Sequence, residues 1–236
     1  MKRYYEYKEE AKNLMSGRYG IVIGTTIVMA IIAGIPTSIA DNFATKYRFD
    51  FETMTRTLIQ PGNPPLNFLF SLIGSIVAAL IVYSTTSMYI DVANNLTPMF
   101  GEVIKKGFTE KPLRTLVHQF FVGLFVLMWT FLFIIPGFIA SYAYSMGYYI
   151  MNHEIDISAL DAISDSKNYM RGHKLELFIL DLSYLGWYLL GILTFGILWL
   201  WIVPKHQTAR TLFFNDLYYS GKTQTQPTNF FPNVEE

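Results

Sequence analysis

Long stretches of chain without one charged side chain constrain this sequence more than any other feature. Tyr19 to Ala40 supplies 22 such residues, and Leu66 to Ile90 is a 25-residue apolar run. At ~1.5 Å per helical residue each can cross a ~30 Å hydrocarbon core. Backbone polar groups in lipid must be satisfied internally, so both runs are read as transmembrane helices. Thr115 to Asn152 adds 38 residues without Asp, Glu, Lys or Arg, too many for one crossing. Pro136 removes a donor and Gly137 permits a turn, so the run divides there into two helices, the second short. The last apolar region, Leu175 to Tyr219, carries Asp181, Lys205, His206 and Arg210. Two crossings fit it, with a turn at Thr194-Phe195-Gly196 and a break at Pro204. One long helix to Val203 followed by an interfacial helix would give five crossings instead of six.

Composition narrows the function classes. The 18 Lys and Arg balance the 18 Asp and Glu, so no net basic field exists to collect nucleic acid. Zero cysteines exclude disulfides, thiolate catalysis and Cys-ligated metals. His118, His153, His173 and His206 never fall at i,i+3 or i,i+4, so no metal site is expected. No serine sits in a recognisable triad motif, and nucleotide-binding and zinc-protease motifs are missing. An enzyme is therefore not expected, nor a cofactor.

Lys and Arg set the orientation. Lys2, Arg3, Lys8, Lys12 and Arg18 precede the first span; Lys105, Lys106, Lys111 and Arg114 follow the second; Lys167, Arg171 and Lys174 precede the last region. Only Lys46, Arg48 and Arg56 lie between the first two spans, so both termini are expected to be cytoplasmic in a multi-pass cell-membrane protein. The expected organisation is one helical membrane domain over 1–219, a mobile external loop over 41–65 and a polar, disordered cytoplasmic tail over 220–236. Ser38-Ile39-Ala40 resembles a signal cleavage site, but Glu6, Glu9 and Glu10 ahead of a long apolar stretch favour a retained helix.

A short amphipathic segment, closed by a glycine, precedes each expected hairpin. Tyr4, Tyr7, Ala11 and Leu14 recur at helical spacing before Gly17, Met99 and Val103 before Gly107, and Ile157, Leu160 and Ile163 before Gly172. Thr97-Pro98 supplies a cap and first helical residue, Ser158 with Asp161 resembles a capping box, and the glycines suit the C′ position. The fold class is thus all-α: about six transmembrane helices as three hairpins, each preceded by an interfacial helix. Gly17 to Gly107 exceeds Gly107 to Gly172 by the 25 residues of the external insert, as an internal duplication would require. The same pattern also arises in any polytopic chain whose loops hold a helical turn and a glycine.

Asp181 is the costly residue. A carboxylate at the centre of a span costs roughly 2.5–3.5 kcal/mol on an insertion scale. Asp181 and Arg210 are each expected about 12 Å from the cytoplasmic end, with Lys205 and His206 deeper, so Arg210 is the expected partner. An ion pair locking the last two helices is favoured over a proton or substrate site, because no second carboxylate lies in a span to form a relay. His118 and Gln119 are read as interfacial or helix-contact residues, and Tyr142, Tyr144, Tyr148 and Tyr149 as an aromatic belt.

Tyr7-Lys8-Glu9-Glu10-Ala11-Lys12-Asn13-Leu14, Ile134-Ile135-Pro136-Gly137 with Tyr142-Ala143-Tyr144-Ser145-Met146, Met170-Arg171-Gly172-His173-Lys174, and Leu180-Asp181-Leu182-Ser183-Tyr184-Leu185-Gly186-Trp187 resemble the DUF975 family of bacterial integral membrane proteins. The resemblance is strongest from Phe131 to Pro204. It implies a polytopic, all-helical protein, found mainly in Gram-positive bacteria, and carries no catalytic or binding residue. The expected function is that of a non-enzymatic envelope protein acting through lipid or protein contacts. The lipid bilayer is its partner, with a protein partner or homo-oligomer left open and nucleic acid excluded. The alternative is a small transporter or lipid-handling permease with a site between hairpins.

Overall fold

A computed structural model of the chain describes residues 2–51 and 53–225. The helices are α1 (Tyr4–Met15), α2 (Tyr19–Asn42), α3 (Pro64–Ala93), α4 (Phe100–Phe108), α5 (Pro112–Leu132), α6 (Ile134–Ala143), α7 (Gly147–His153), α8 (Ala159–Tyr169), α9 (Lys174–Leu193) and α10 (Trp199–Thr225). Among the described residues α2, α3, α5 and α9 are long and apolar enough to cross a membrane. Consecutive helices pack side by side as α2 with α3, α5 with α6, and α9 with α10.

Local chemistry explains most boundaries. The Asn63 side chain accepts from Leu66 N–H and Pro64 opens α3, a first turn in which proline's missing donor costs nothing. Ser158 accepts from Asp161 N–H and starts α8. Gly17 and Gly172 follow α1 and α8 with φ of +79° and +87°, conformations that favour glycine. Gly196, at φ +85°, turns the chain between α9 and α10, and its N–H donates to the Gly191 carbonyl at 2.8 Å.

Four expectations need correction. The α5–α6 break lies at Phe133, whose extended φ of −160° separates the helices, whereas Pro136 and Gly137 sit inside the start of α6. Proline in a first turn lacks only a donor that had no partner. Gly137 instead allows close approach, since a Cβ there would lie 2.7 Å from Thr130 Cα. Pro204 does not break α10, which runs through it. Gly107 is not a C-cap: it lies inside α4, where a Cβ would meet Ser84 Oγ at 1.7 Å and the Leu80 carbonyl at 2.7 Å. α4 itself starts two residues later than Thr97-Pro98 predicts.

The insert contains a two-stranded hairpin. β1 (Lys46–Asp50) and β2 (Thr55–Gln60) pair antiparallel, with Tyr47 opposite Leu58 and Phe49 opposite Arg56. Alternating aromatic and β-branched residues favour this pleated pairing. At the other end α10 continues to Thr225, past the boundary drawn at Tyr219, and residues 226–236 of the expected disordered tail lie outside the described residues.

Burial is concentrated at one end of the helix pairs. α3 is buried chiefly from Ala79 to Val92, whereas Phe68, Leu69, Leu72 and Ile73 are exposed. α5 buries Thr115 and His118 near its start, while Phe131 is 92% exposed at its end. The shared hub takes Tyr7 and Ala11 from α1, Tyr83 from α3, Tyr149 and Ile150 from α7, Leu180 and Tyr184 from α9, and Ala209 to Tyr218 from α10. α1 buries Tyr7, Ala11 and Met15 along one side of its cylinder, the first two in this hub and Met15 in a second cluster with Met29, Met88 and Val103. Contiguous apolar surface on the far halves suits a hydrocarbon solvent, not water.

Gly107→Ala is expected to lower stability in detergent by about 1–2 kcal/mol, because the overpacking cost exceeds the gain in helix propensity. Gly101→Ala, with open space around it, should be neutral or stabilising. Thermal unfolding of the two variants side by side checks the assignment.

Candidate functional site

Asp181, Tyr184 and Tyr188 stand at i, i+3 and i+7 of α9, one face of the helix. His206 and Arg210 stand one turn apart on α10, and Tyr142 comes from α6. These residues form one polar cluster. His206 Nε2 lies 2.8 Å from Asp181 Oδ1, and the Tyr142 hydroxyl donates to Asp181 Oδ2 at 3.0 Å. The Tyr188 hydroxyl lies 2.9 Å from His206 Nδ1. A carboxylate only accepts, so Nε2 carries the proton that faces Asp181, while Nδ1 pairs with the Tyr188 hydroxyl. Tyr184 stacks on the imidazole with ring centres 4.6 Å apart.

Arg210 forms an ion pair with Asp181 but no hydrogen bond to it. Its Nε is 3.7 Å from Asp181 Oδ1, within ion-pair range but outside hydrogen-bond distance. That Nε is buried without a hydrogen-bond partner, and the guanidinium lies 5.9 Å from the Phe214 ring centre. Arg210 therefore supplies compensating charge, while His206 and Tyr142 supply the directed bonds. Lys205 is not in the cluster. One residue from His206, it is turned roughly 100° around α10, and its Nζ lies 5.5 Å from the Tyr19 ring centre.

The tyrosines expected in a belt are mostly committed elsewhere. Tyr149 is 1% exposed and its hydroxyl donates to Asn215 Oδ1. Tyr148 donates to Gln119 Oε1 at 2.6 Å. His118 is buried against Tyr148, and a Cβ on Gly147 would strike its ring, so His118 marks a close α5–α7 crossing.

Two structural residues escaped sequence reasoning. Arg114, counted there only as an orienting charge, donates to the carbonyls of Met151, Glu154, Ile155 and Ile157 and to the Tyr83 hydroxyl. It satisfies the open carbonyls at the end of α7. Ser166 bridges the α6–α7 break: its hydroxyl donates to the Ala143 carbonyl and accepts from Met146 N–H. Both act on other parts of the chain, so no local pattern reveals them.

Double-mutant cycles on detergent-solubilised protein should rank the partners. The coupling of Asp181→Asn with His206→Ala is expected to reach about 1–3 kcal/mol and to exceed that of Asp181→Asn with Arg210→Gln. Equal or reversed couplings would make Arg210 the principal partner.

No curated protein and no solved structure matches this chain. The family model described as "Protein of unknown function (DUF975)" matches residues 131–220. That stretch runs from the end of α5 into α10 and contains all of Tyr142, Asp181, Tyr184, Tyr188, His206 and Arg210. Residues 131–220, 90 of the 236, are therefore similar to the DUF975 family.

Proposed function

We propose that this chain is a six-crossing protein of a bacterial, Gram-positive cell membrane, with both termini cytoplasmic, that works without catalysis through contacts with lipid or other membrane proteins. The crossings are α2, α3, α5, α6 with α7, α9 and α10, and α1, α4 and α8 lie at the cytoplasmic interface as amphipathic helices. α6 and α7, of 10 and 7 residues, together supply about 26 Å of helix. The turn at Gly196 returns the chain to the side from which α9 left, which supports an even number of crossings.

One observation carries the non-catalytic reading. Both oxygens of Asp181 are held by protein groups, the arrangement of a helix lock instead of a group waiting for substrate. What the far halves of the helices offer is apolar side chain, the surface a lipid or a neighbouring transmembrane helix meets. Uptake of a solute into proteoliposomes that Asp181→Asn abolishes would replace this reading with the transporter.

Topology can be tested directly, because the chain has no cysteine. Phe51→Cys, on the exposed insert, is expected to react with a membrane-impermeant maleimide on intact cells. Ser220→Cys should react only after permeabilisation. Labelling of Ser220→Cys from outside would favour five crossings.

A further inference from the structure

Resting on the reading that the protein works at the lipid interface, we infer that the cleft between α1 and the α9–α10 pair is a binding site for the headgroup of an anionic phospholipid. The cleft has a volume of 290 Å³. Lys8 and Lys12 from α1 and Lys205 from α10 line it, with Glu9 as the opposing charge. Trp187 and Trp201 form its apolar wall, 51% and 44% exposed respectively. Three ammonium groups against one carboxylate leave the cleft net cationic on a chain whose overall formal charge is zero.

Lys8 is the informative member. Its ammonium donates to the Ser183 carbonyl at 3.0 Å and lies 4.7 Å from the Tyr184 ring centre. Burial pushes its pKa below the ordinary lysine value. A carbonyl and a π face do not neutralise a partly desolvated cation, whereas a phosphate would. Lys205 on the other wall likewise rests near an aromatic face, that of Tyr19. The lysines thus fit a phosphate oxygen, and the partly exposed tryptophans fit the glycerol and upper acyl region, where indoles concentrate in membrane proteins. Free inorganic phosphate shares the first chemistry but gains nothing from the second. The site therefore selects an amphiphile, and basic pockets beside transmembrane helices on the cytoplasmic side are a recurrent way to hold an anionic headgroup.

The test is calorimetric titration of the full chain in a neutral detergent at low salt, using dioctanoyl-phosphatidylglycerol, dioctanoyl-phosphatidylcholine and inorganic phosphate as probes. The anionic lipid is expected to bind about tenfold more tightly than the zwitterionic one, and raised salt should erode the difference. Lys8→Gln and Lys205→Gln should each remove most of that preference, while Trp201→Ala should weaken both lipids alike. Lys8 also joins α1 to α9, so its variant can lose structure. Lys12→Gln, at an exposed position, must then reduce the preference about threefold with the unfolding temperature unchanged. Equal affinity for the two lipids, or a preference that survives all three lysine variants, overturns the proposal. Inorganic phosphate binding as tightly as the anionic lipid overturns it too, in favour of a soluble anion. Cysteine labelling reads the topology independently, so a failed cleft with Ser220→Cys still protected removes the site and leaves the envelope reading standing.

Discussion

A carboxylate in the middle of an apolar helix cannot face hydrocarbon, and the packing of α9 against α6 and α10 follows from that one restriction. Asp181 must turn inward, so Tyr184 and Tyr188 turn inward with it and Leu182, Leu185 and Leu189 point away, each about half exposed. On α10 the same requirement brings His206 and Arg210 to the carboxylate. The helical step turns Lys205 roughly 100° away, where it meets Tyr19 and lines the cleft beside α1. A single ionisable residue thus determines the rotation of two helices about their axes. It also places a partly buried polar cluster beside an open cationic groove, with Tyr184 lining both.

The hub has to fill the space between α1, α3, α7, α8, α9 and α10. It does so with flexible and amphipathic side chains. Met146, Met151 and Met170 are 0% exposed in the hub, and Met15, Met29 and Met88, 0–1% exposed, fill a second cluster with Val22, Ile81 and Val103; an unbranched thioether adapts to irregular gaps better than a branched aliphatic chain. The buried tyrosines bring bulk but also a hydroxyl that needs a partner. α10 provides two of those partners, Asp216 for Tyr7 at 2.9 Å and Asn215 for Tyr149. Polar residues late in α10, which weaken its claim to be a simple membrane span, are what the hub needs.

The parts legible in the sequence are those encoded locally. Uncharged runs mark the spans, Ser158 marks the start of α8, and the glycines at positive φ mark turns after α1, α8 and α9. Asp181 was legible as a group needing a partner, because charge and depth are sequence properties. The choice of His206 over Arg210 was not, since a ring held by Tyr188 and stacked on Tyr184 depends on three side chains meeting in space. Proline was over-read: Pro136 falls in a first turn and Pro204 inside a helix, where context and not identity decides whether the chain bends. Gly107 was misread for the parallel reason, since a missing Cβ serves a close crossing as well as a turn. The β-hairpin was hidden by the turn-forming run at its end, which drew attention from the alternation in Lys46–Asp50 and Thr55–Gln60.

Two arginines counted in the sequence as orienting charges also finish helices. Arg18 donates to the Leu14 carbonyl at 2.7 Å, in the last turn of α1, and to the Asn95 carbonyl at 2.9 Å, just past the end of α3. Arg114 does the same for α7. Helix C-termini present unsatisfied carbonyls and the negative end of the helix dipole, so cations on the same side are electrostatically matched to them. Short helices that end at one face of the bundle therefore create a demand for Lys and Arg at that face, independent of any rule of insertion. The charge asymmetry and the helix-end chemistry reinforce each other: a substitution that removes Arg114 subtracts an orienting charge and, in the same step, unsatisfies the end of α7 against which α3, α5 and α8 are packed.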